Sequence, residues 1–289
     1  MHYEGSLLRP PNEADSILLQ VTVGCSYNRC AFCAAYKEKR FRIKETKLID
    51  ADLEDAAQHY PDKERLFFCD GDALILPQER LVELFMRIHE RLPRVKRISM
   101  YANARSIARK NSNELRQLKT LGLSMIHMGL ESGDDITLKS VEKWGSSREI
   151  IAQGKKVRNA GIKLFVTVIL GLGGVERSEV HAVATGEALS EMNPPYVGAL
   201  SYMPVEGTVL CDRLTAGTFV LPDARQMLCE LRTMLAHTDL RPGMFYANHA
   251  SNYLPLKIRL PREKLHALSL IDCALRGDIP LTPEWLRGL

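Results

Sequence analysis

Short runs rich in β-branched and aromatic residues alternate along the chain with longer stretches in which apolar residues return every three to four positions. The first kind predicts strands at 16–23, 65–69, 96–101, 124–130, 163–170 and 196–202. The second predicts helices at 48–59, 78–91, 113–121, 135–142, 147–159 and 177–192. In 78–91 the residues Leu81, Leu84, Phe85 and Ile88 fall on one face, and Gly122 and Gly161 stand just past the ends of two other helices. Strands that alternate with helices predict parallel βαβ units and an α/β fold. Six such units, rather than eight, indicate a partial (βα)6 barrel, assigned to 13–205. Beyond about residue 204 the alternation stops. Helical periodicity returns at 222–236 and 262–275, with an ordered loop or short strands at 245–256. Residues 206–289 therefore read as a mainly helical C-terminal extension covering the substrate side of the barrel.

At 289 residues, 45% of them hydrophobic and 26% charged, the chain has the make-up of a globular protein that buries a core without disulfide staples. The formal net charge of +4 is spread out. The basic runs at 37–44 and 91–97 are expected as solvated surface; no recognised binding motif accompanies them, so a nucleic-acid partner is not expected. No basic segment followed by an apolar run opens the sequence, and no stretch of about 18 apolar residues occurs, so the expectation is a cytoplasmic protein without a membrane span.

The cysteines are Cys25, Cys30, Cys33, Cys69, Cys211, Cys229 and Cys273, an odd number with three of them inside nine positions. In a reducing compartment such crowding points to metal rather than to disulfides. The triplet follows the first expected strand, at the end where βα barrels gather their active sites. Thiolates suit iron–sulfur clusters or zinc. Structural and electron-transfer cubanes commonly take four thiolates, so three leave one iron open to bind a reactant. A zinc site is the competing reading, weakened by the absence of a second C-x-x-C or H-x-x-x-H pair. Cys69 is either a fourth ligand or a buried packing residue, the commoner fate of a lone strand cysteine. Cys211, Cys229 and Cys273 are widely spaced and read as packing residues.

A cysteine triplet after the first strand of a six-unit βα barrel resembles the radical SAM superfamily. The common spacing there is C-x3-C-x2-C; this chain has C-x4-C-x2-C, one residue longer in the first gap. The resemblance implies that Cys25, Cys30 and Cys33 hold a [4Fe-4S] cluster whose fourth iron is chelated by S-adenosyl-L-methionine (SAM), with Phe32 near the adenine. Asp70-Gly71-Asp72 is similar in position to the family's Gly-Gly-Glu, which meets the SAM amino group; a simple turn is the alternative. Asn103 shares the parity of Ser99 and Tyr101 and would contact the SAM ribose or carboxylate. Gly129-Leu130-Glu131-Ser132-Gly133, followed by Leu138-Lys139, is similar to a segment of the branch containing oxygen-independent coproporphyrinogen oxidases and methylthiotransferases. That likeness implies Glu131 beside SAM and Lys143 facing its carboxylate. Gly171 would meet adenine through its backbone, and Pro204 with Gly207-Thr208 resembles a family turn at the barrel end. The resemblance covers about 16–210.

By this resemblance the reduced cluster cleaves SAM to a 5′-deoxyadenosyl radical, which abstracts hydrogen from a substrate the sequence does not name. A one-electron donor of flavodoxin or ferredoxin type is implied. Tyr101, His127, Asn248 and His249 are candidate substrate contacts. His127 is equally a satisfied core histidine, and the polar residues of 245–256 equally serve backbone groups. The rival functions are a non-catalytic iron–sulfur or zinc protein and an RNA-modifying enzyme.

Overall fold

All six expected strands form. In chain order the strands are β1 (Ile17–Gln20), β2 (Thr22–Val23), β3 (Arg42–Ile43), β4 (Arg65–Cys69), β5 (Arg97–Tyr101), β6 (Leu123–Glu131), β7 (Lys163–Leu170), β8 (Tyr196–Ser201), β9 (Gly243–Tyr246) and β10 (Lys257–Leu260). The helices are α1 (Thr46–His59), α2 (Gln78–Arg91), α3 (Ala104–Ala108), α4 (Ser112–Thr120), α5 (Asp135–Ser140), α6 (Ser147–Asn159), α7 (Gly174–Met192), α8 (Val209–Thr215), α9 (Ala224–Ala236) and α10 (Lys264–Arg276). The computed structural model describes residues 1–288, which fall into two units.

The first unit comprises 1–28, 35–128 and 156–164. Here β1, β4, β5 and the start of β6 run parallel, with Ile17 opposite Leu66, Arg65 opposite Arg97 and Met100 opposite Ile126. Successive side chains of a strand face opposite ways. Phe68 turns to α2 and meets Phe85 edge-on at 5.7 Å, beside the expected Leu81, Leu84 and Ile88. Phe67 turns to the other face, where it meets Tyr101 at 5.1 Å and His127 at 5.9 Å.

Three details of this unit depart from the sequence expectation. The first strand breaks at Val21, and β2 pairs antiparallel with β3, Thr22 opposite Ile43. This places part of the basic run 37–44 inside: Lys44 is fully buried, 2.9 Å from the equally buried Asp52. A lysine can be buried when a carboxylate and further acceptors answer its charge, and the His2 carbonyl also accepts from it. Thirdly, the third strand stops at Tyr101, so Asn103 is not a strand residue. It caps α3, its Oδ1 accepting the Ser106 N–H at 2.9 Å.

The second unit comprises 29–34, 129–155 and Phe165 onward. β7, β8 and β9 are parallel, Phe165 opposite Tyr196 and Tyr196 opposite Met244, and β10 returns antiparallel to β9. Leu164, Val166, Val168 and Leu170 are buried while Phe165, Thr167 and Ile169 between them are partly exposed. The extension is mainly helical, with short strands at either end of the segment read as an ordered loop or short strands. It contributes α8, α9 and α10 but also β9 and β10. α8 was not expected; Thr208 starts it by accepting the Cys211 N–H at 3.3 Å. Of the three outlying cysteines read as packing residues, one is turned outward. Cys229 is exposed and Cys211 and Cys273 are partly so, because α9 buries Met227, Leu228, Glu230 and Leu231 and turns Cys229 outward. Among the described residues no helix is long and apolar enough to cross a membrane.

α7 and α9 approach closely through Gly186, where a Cβ would stand 2.6 Å from the Met234 carbonyl oxygen. Backbone cannot yield as a flexible side chain can, so Gly186→Ala is expected to cost about 2 kcal/mol. A lowered urea midpoint at unchanged slope checks it.

Candidate active site

The first half of the cysteine loop is held within the first unit. Gly24 and Cys25 follow β2 and lie against Gly71 in the Asp70-Gly71-Asp72 turn that follows β4. Gly71 donates its N–H to the Gly24 carbonyl at 3.1 Å. A Cβ on Gly71 would lie 2.8 Å from Cys25 Cβ and 3.0 Å from the Tyr36 ring, so this position admits no side chain without displacing the loop.

The two acids flanking Gly71 differ. Asp70 is fully buried and holds the residue that leads into the loop: its Oδ2 accepts the Gly24 N–H at 2.8 Å and Gln20 Nε2 at 2.9 Å, with Lys39 Nζ at 3.3 Å. Asp72 is also fully buried, and its Oδ2 accepts from the Ser26 hydroxyl, from Ser106 Oγ at 2.5 Å and from Asn103 Nδ2 at 2.9 Å. Its Oδ1 has no partner among the described residues. Burial raises the carboxyl pKa and outweighs those three donors, leaving it at about 6. A buried carboxylate with one unmatched oxygen is a receptor for a cation or a strong donor. Asp72, Asn103 and Gly71 are thus brought together as expected, and Asp70 is turned away from them. Ser26 and Ser106 complete the Asp72 site. Sequence reading missed both, although Ser26 adjoins Cys25.

The remaining candidates of this unit, His127 and Tyr101, lie among rings. His127 is 3% exposed, beside Phe67 and Tyr101. Burial lowers its pKa to about 4, so the imidazole is neutral near pH 7. Burial likewise raises the Tyr101 hydroxyl, which stays protonated. Cys69 is fully buried in β4, and burial pushes its thiol up to about 12, as for a strand cysteine packed in a core.

The second half of the loop is held within the second unit. Ala31 donates its N–H to the Val141 carbonyl and accepts the Leu210 N–H, both at 2.9 Å. These bonds fix the backbone between Cys30 and Cys33. Phe32 packs on a cluster of Ala31, Val141, Leu172, Tyr202 and Leu210, with Ile169 alongside. Such an apolar surface suits a flat uncharged ring.

The end of β6 is shaped by its glycines. A Cβ on Gly129 would fall 1.8 Å from Glu131 Oε1, so the absence of one lets the carboxylate fold back over the strand. A Cβ on Gly133 would fall 2.1 Å from the Ala184 carbonyl, so the chain lies directly on α7. Glu131 takes φ +66°, a strained value for a residue with a side chain. Its Oε1 meets Lys143 Nζ at 2.8 Å, while its Oε2 has no partner among the described residues. Ser132 meets His181 Nδ1 at 2.7 Å. Burial would raise Asp134, but hydrogen bonds from Arg177 and Thr137 prevail and hold it at about 2.

The last expected residues lie in the second unit. Gly171 donates its N–H to Glu230 Oε1 at 2.5 Å, so this amide is committed to the extension. No local signal marks Glu230, which lies 59 residues further along. Asn248 is exposed. His249 accepts the Ser251 N–H on Nδ1 at 3.1 Å, and Asn252 donates to the Ala199 carbonyl at 2.8 Å. His249, Ser251 and Asn252 of this loop satisfy backbone groups, one of the two readings the sequence leaves open.

No cysteine is in a disulfide, and Cys25, Cys30 and Cys33 are all partly exposed. Among the described residues no three His, Cys, Asp or Glu side chains are already gathered into a metal-binding group. The soft donors of the triplet fit a thiolate-bound cluster, and each unit keeps a buried carboxylate oxygen that fits a cationic partner, Asp72 Oδ1 in the first and Glu131 Oε2 in the second.

Residues 19–185 match the family model described as the radical SAM superfamily. The chain belongs to the radical SAM superfamily. Members of this superfamily are enzymes that use a [4Fe-4S] cluster and SAM. A biotin synthase of Rhodopseudomonas palustris (strain TIE-1) is 26% identical over 207 residues, covering 71% of this chain and 60% of that protein. The chain thus spans about 60% of the length of that relative. A biotin synthase of Thermus thermophilus is 24% identical over 246 residues, 84% of this chain and 72% of that one. Among solved structures, the coproporphyrinogen III oxidase of Escherichia coli, a radical SAM enzyme by its description, aligns with a TM-score of 0.57 at 17% identity, covering 76% of this chain and 51% of the other. This likeness shows the shared α/β fold of radical SAM enzymes.

Asp72 carries a pH prediction. In the folded chain its carboxyl titrates near 6 rather than 3.8, so the folded state keeps a proton that the unfolded state has released. Stability is therefore lost as pH rises through about 4 to 6, by about 3 kcal/mol in all. Asp72→Asn can keep the three donors on its carbonyl oxygen and removes this loss. Cluster-free Asp72→Asn is expected to melt above wild type, by more at pH 8 than at pH 5, in thermal unfolding at both values.

Proposed function

We propose that the chain is a radical SAM enzyme whose cluster is held by Cys25, Cys30 and Cys33. When bound, the cluster and SAM supply one-electron cleavage of the C5′–S bond and a 5′-deoxyadenosyl radical that takes hydrogen from a substrate. The observation that carries this reading is the unmatched Oδ1 of buried Asp72, beside a glycine against which Cys25 packs.

Asp72, positioned by Ser26, Asn103 and Ser106, would take the SAM ammonium. The Glu131–Lys143 pair offers both signs of charge to the polar end of SAM, with Lys143 for its carboxylate. Phe32 and the apolar residues around Leu172 would hold the adenine and keep water from it. Residues 13–205 would supply this machinery and 206–289 the substrate side. The neutral rings of Tyr101 and His127 suit lining rather than charge recognition. An electron donor of flavodoxin or ferredoxin type, in a reducing cytoplasm, completes the reading.

The test is anaerobic reconstitution with iron and sulfide, then dithionite and SAM, with 5′-deoxyadenosine as the readout. Product is expected from wild type and only background from Cys30→Ala. An iron-loaded chain that leaves SAM intact under strong reductant would falsify the catalytic reading and favour a non-catalytic iron–sulfur protein.

A further inference from the structure

Asp70 stands where the Gly-Gly-Glu motif that Asp70-Gly71-Asp72 resembles has its first glycine. The change has a conformational cost, because φ at Asp70 is +66°, in the left-handed region that glycine enters freely. Against that cost stand contacts from three separate segments. The buried carboxylate accepts the Gly24 N–H at 2.8 Å and Gln20 Nε2 at 2.9 Å, and Lys39 Nζ lies 3.3 Å from both oxygens. The Gly24 carbonyl in turn accepts the Gly71 N–H at 3.1 Å. Residues 70 and 71 therefore grip both polar groups of Gly24, the residue that precedes Cys25.

The loop they grip is the lengthened one. Asn28 lies in the longer first gap and takes a left-handed turn, φ +43°, with its Nδ2 donating to the Tyr36 carbonyl at 2.7 Å. Tyr36 closes on Gly71, and the Lys39 ammonium sits 5.6 Å from the centre of its ring. A longer loop has more conformations to lose, whereas a metal ligand must be held within a narrow geometry.

We propose that Asp70 is a positioning residue for the iron–sulfur cluster: braced by Gln20 and Lys39, it fixes Gly24 and hence the Cys25 thiolate in the extended C-x4-C loop, leaving the SAM ammonium to Asp72. The proposal rests on the reading of Cys25 as a cluster ligand.

Wild type, Asp70→Asn and Asp72→Asn are reconstituted anaerobically with iron and sulfide. Each is then assayed for iron release to the ferrous chelator bathophenanthroline disulfonate and for SAM affinity by equilibrium dialysis. Asp70→Asn is expected to release iron about tenfold faster than wild type with a SAM Kd within about twofold, and Asp72→Asn to weaken SAM binding about tenfold with iron release unchanged. Thermal unfolding of the cluster-free chains separates a merely structural brace, which would lower the melting temperature and leave iron release from the loaded chain as it was. That outcome, or a loss of SAM affinity in Asp70→Asn as large as in Asp72→Asn, overturns the proposal. A wild-type chain that takes up no iron overturns the cluster reading itself and is seen before any variant is compared. If Asp70→Asn does not fold, Gln20→Met removes one donor to Asp70 and keeps the Lys39 pair; it is expected to show the same faster release at unchanged SAM affinity, and wild-type release from it overturns the proposal.

Discussion

A carboxylate taken out of water has to be answered by donors, and this protein places several at strand ends and on helices where the answer decides what each one does. Asp70, Asp134 and Glu230 are fully answered. Asp70 has the Gly24 amide, Gln20 and Lys39; Asp134 has Arg177 and Thr137; Glu230 has the Gly171 amide and Ser178. Each ties one segment of chain to another. Asp72 and Glu131 are answered on one oxygen only. The three matched acids hold their segments together, and Asp72 and Glu131 each keep one oxygen with capacity for a ligand. The difference lies in the count of donors around each oxygen rather than in the residue type.

Glycine supplies the other half of the construction. Gly71 lets Cys25 and Tyr36 close in, Gly129 leaves room for the Glu131 carboxylate, and Gly133 brings the end of β6 onto the backbone of α7. In all three places an added Cβ would meet an atom at 2.8 Å or less. The Gly-Leu-Glu-Ser-Gly run is therefore a packing solution as much as a binding motif. Its first glycine shapes the acid, its serine meets His181, and its second glycine seats the turn.

Much of the fold was legible because it follows from local periodicity. α2 buries the four residues its spacing marks out, and β7 alternates as its β-branched run implies. What escaped were elements too short to show a period, β2, β3 and α8, and residues whose burial depends on a distant partner. Lys44 reads as surface in a basic run and becomes core only because Asp52 meets it. Cys229 reads as core and ends exposed, because the apolar face of α9 lies to either side of it.

The sequence by itself determined the alternation of the six parallel strands with their main helices, the cysteine triplet after the first strand and its longer gap, and with them the superfamily. These are properties of spacing, and spacing is covalent. Only the tertiary structure decided which acid of Asp70-Gly71-Asp72 holds the Gly24 amide and which keeps an oxygen unmatched. It alone committed the Gly171 amide to Glu230 and turned Asn103 from a strand residue into a helix cap that also reaches Asp72. Those outcomes depend on donors from segments far apart in the chain, and a donor's direction is set by packing that no local pattern encodes.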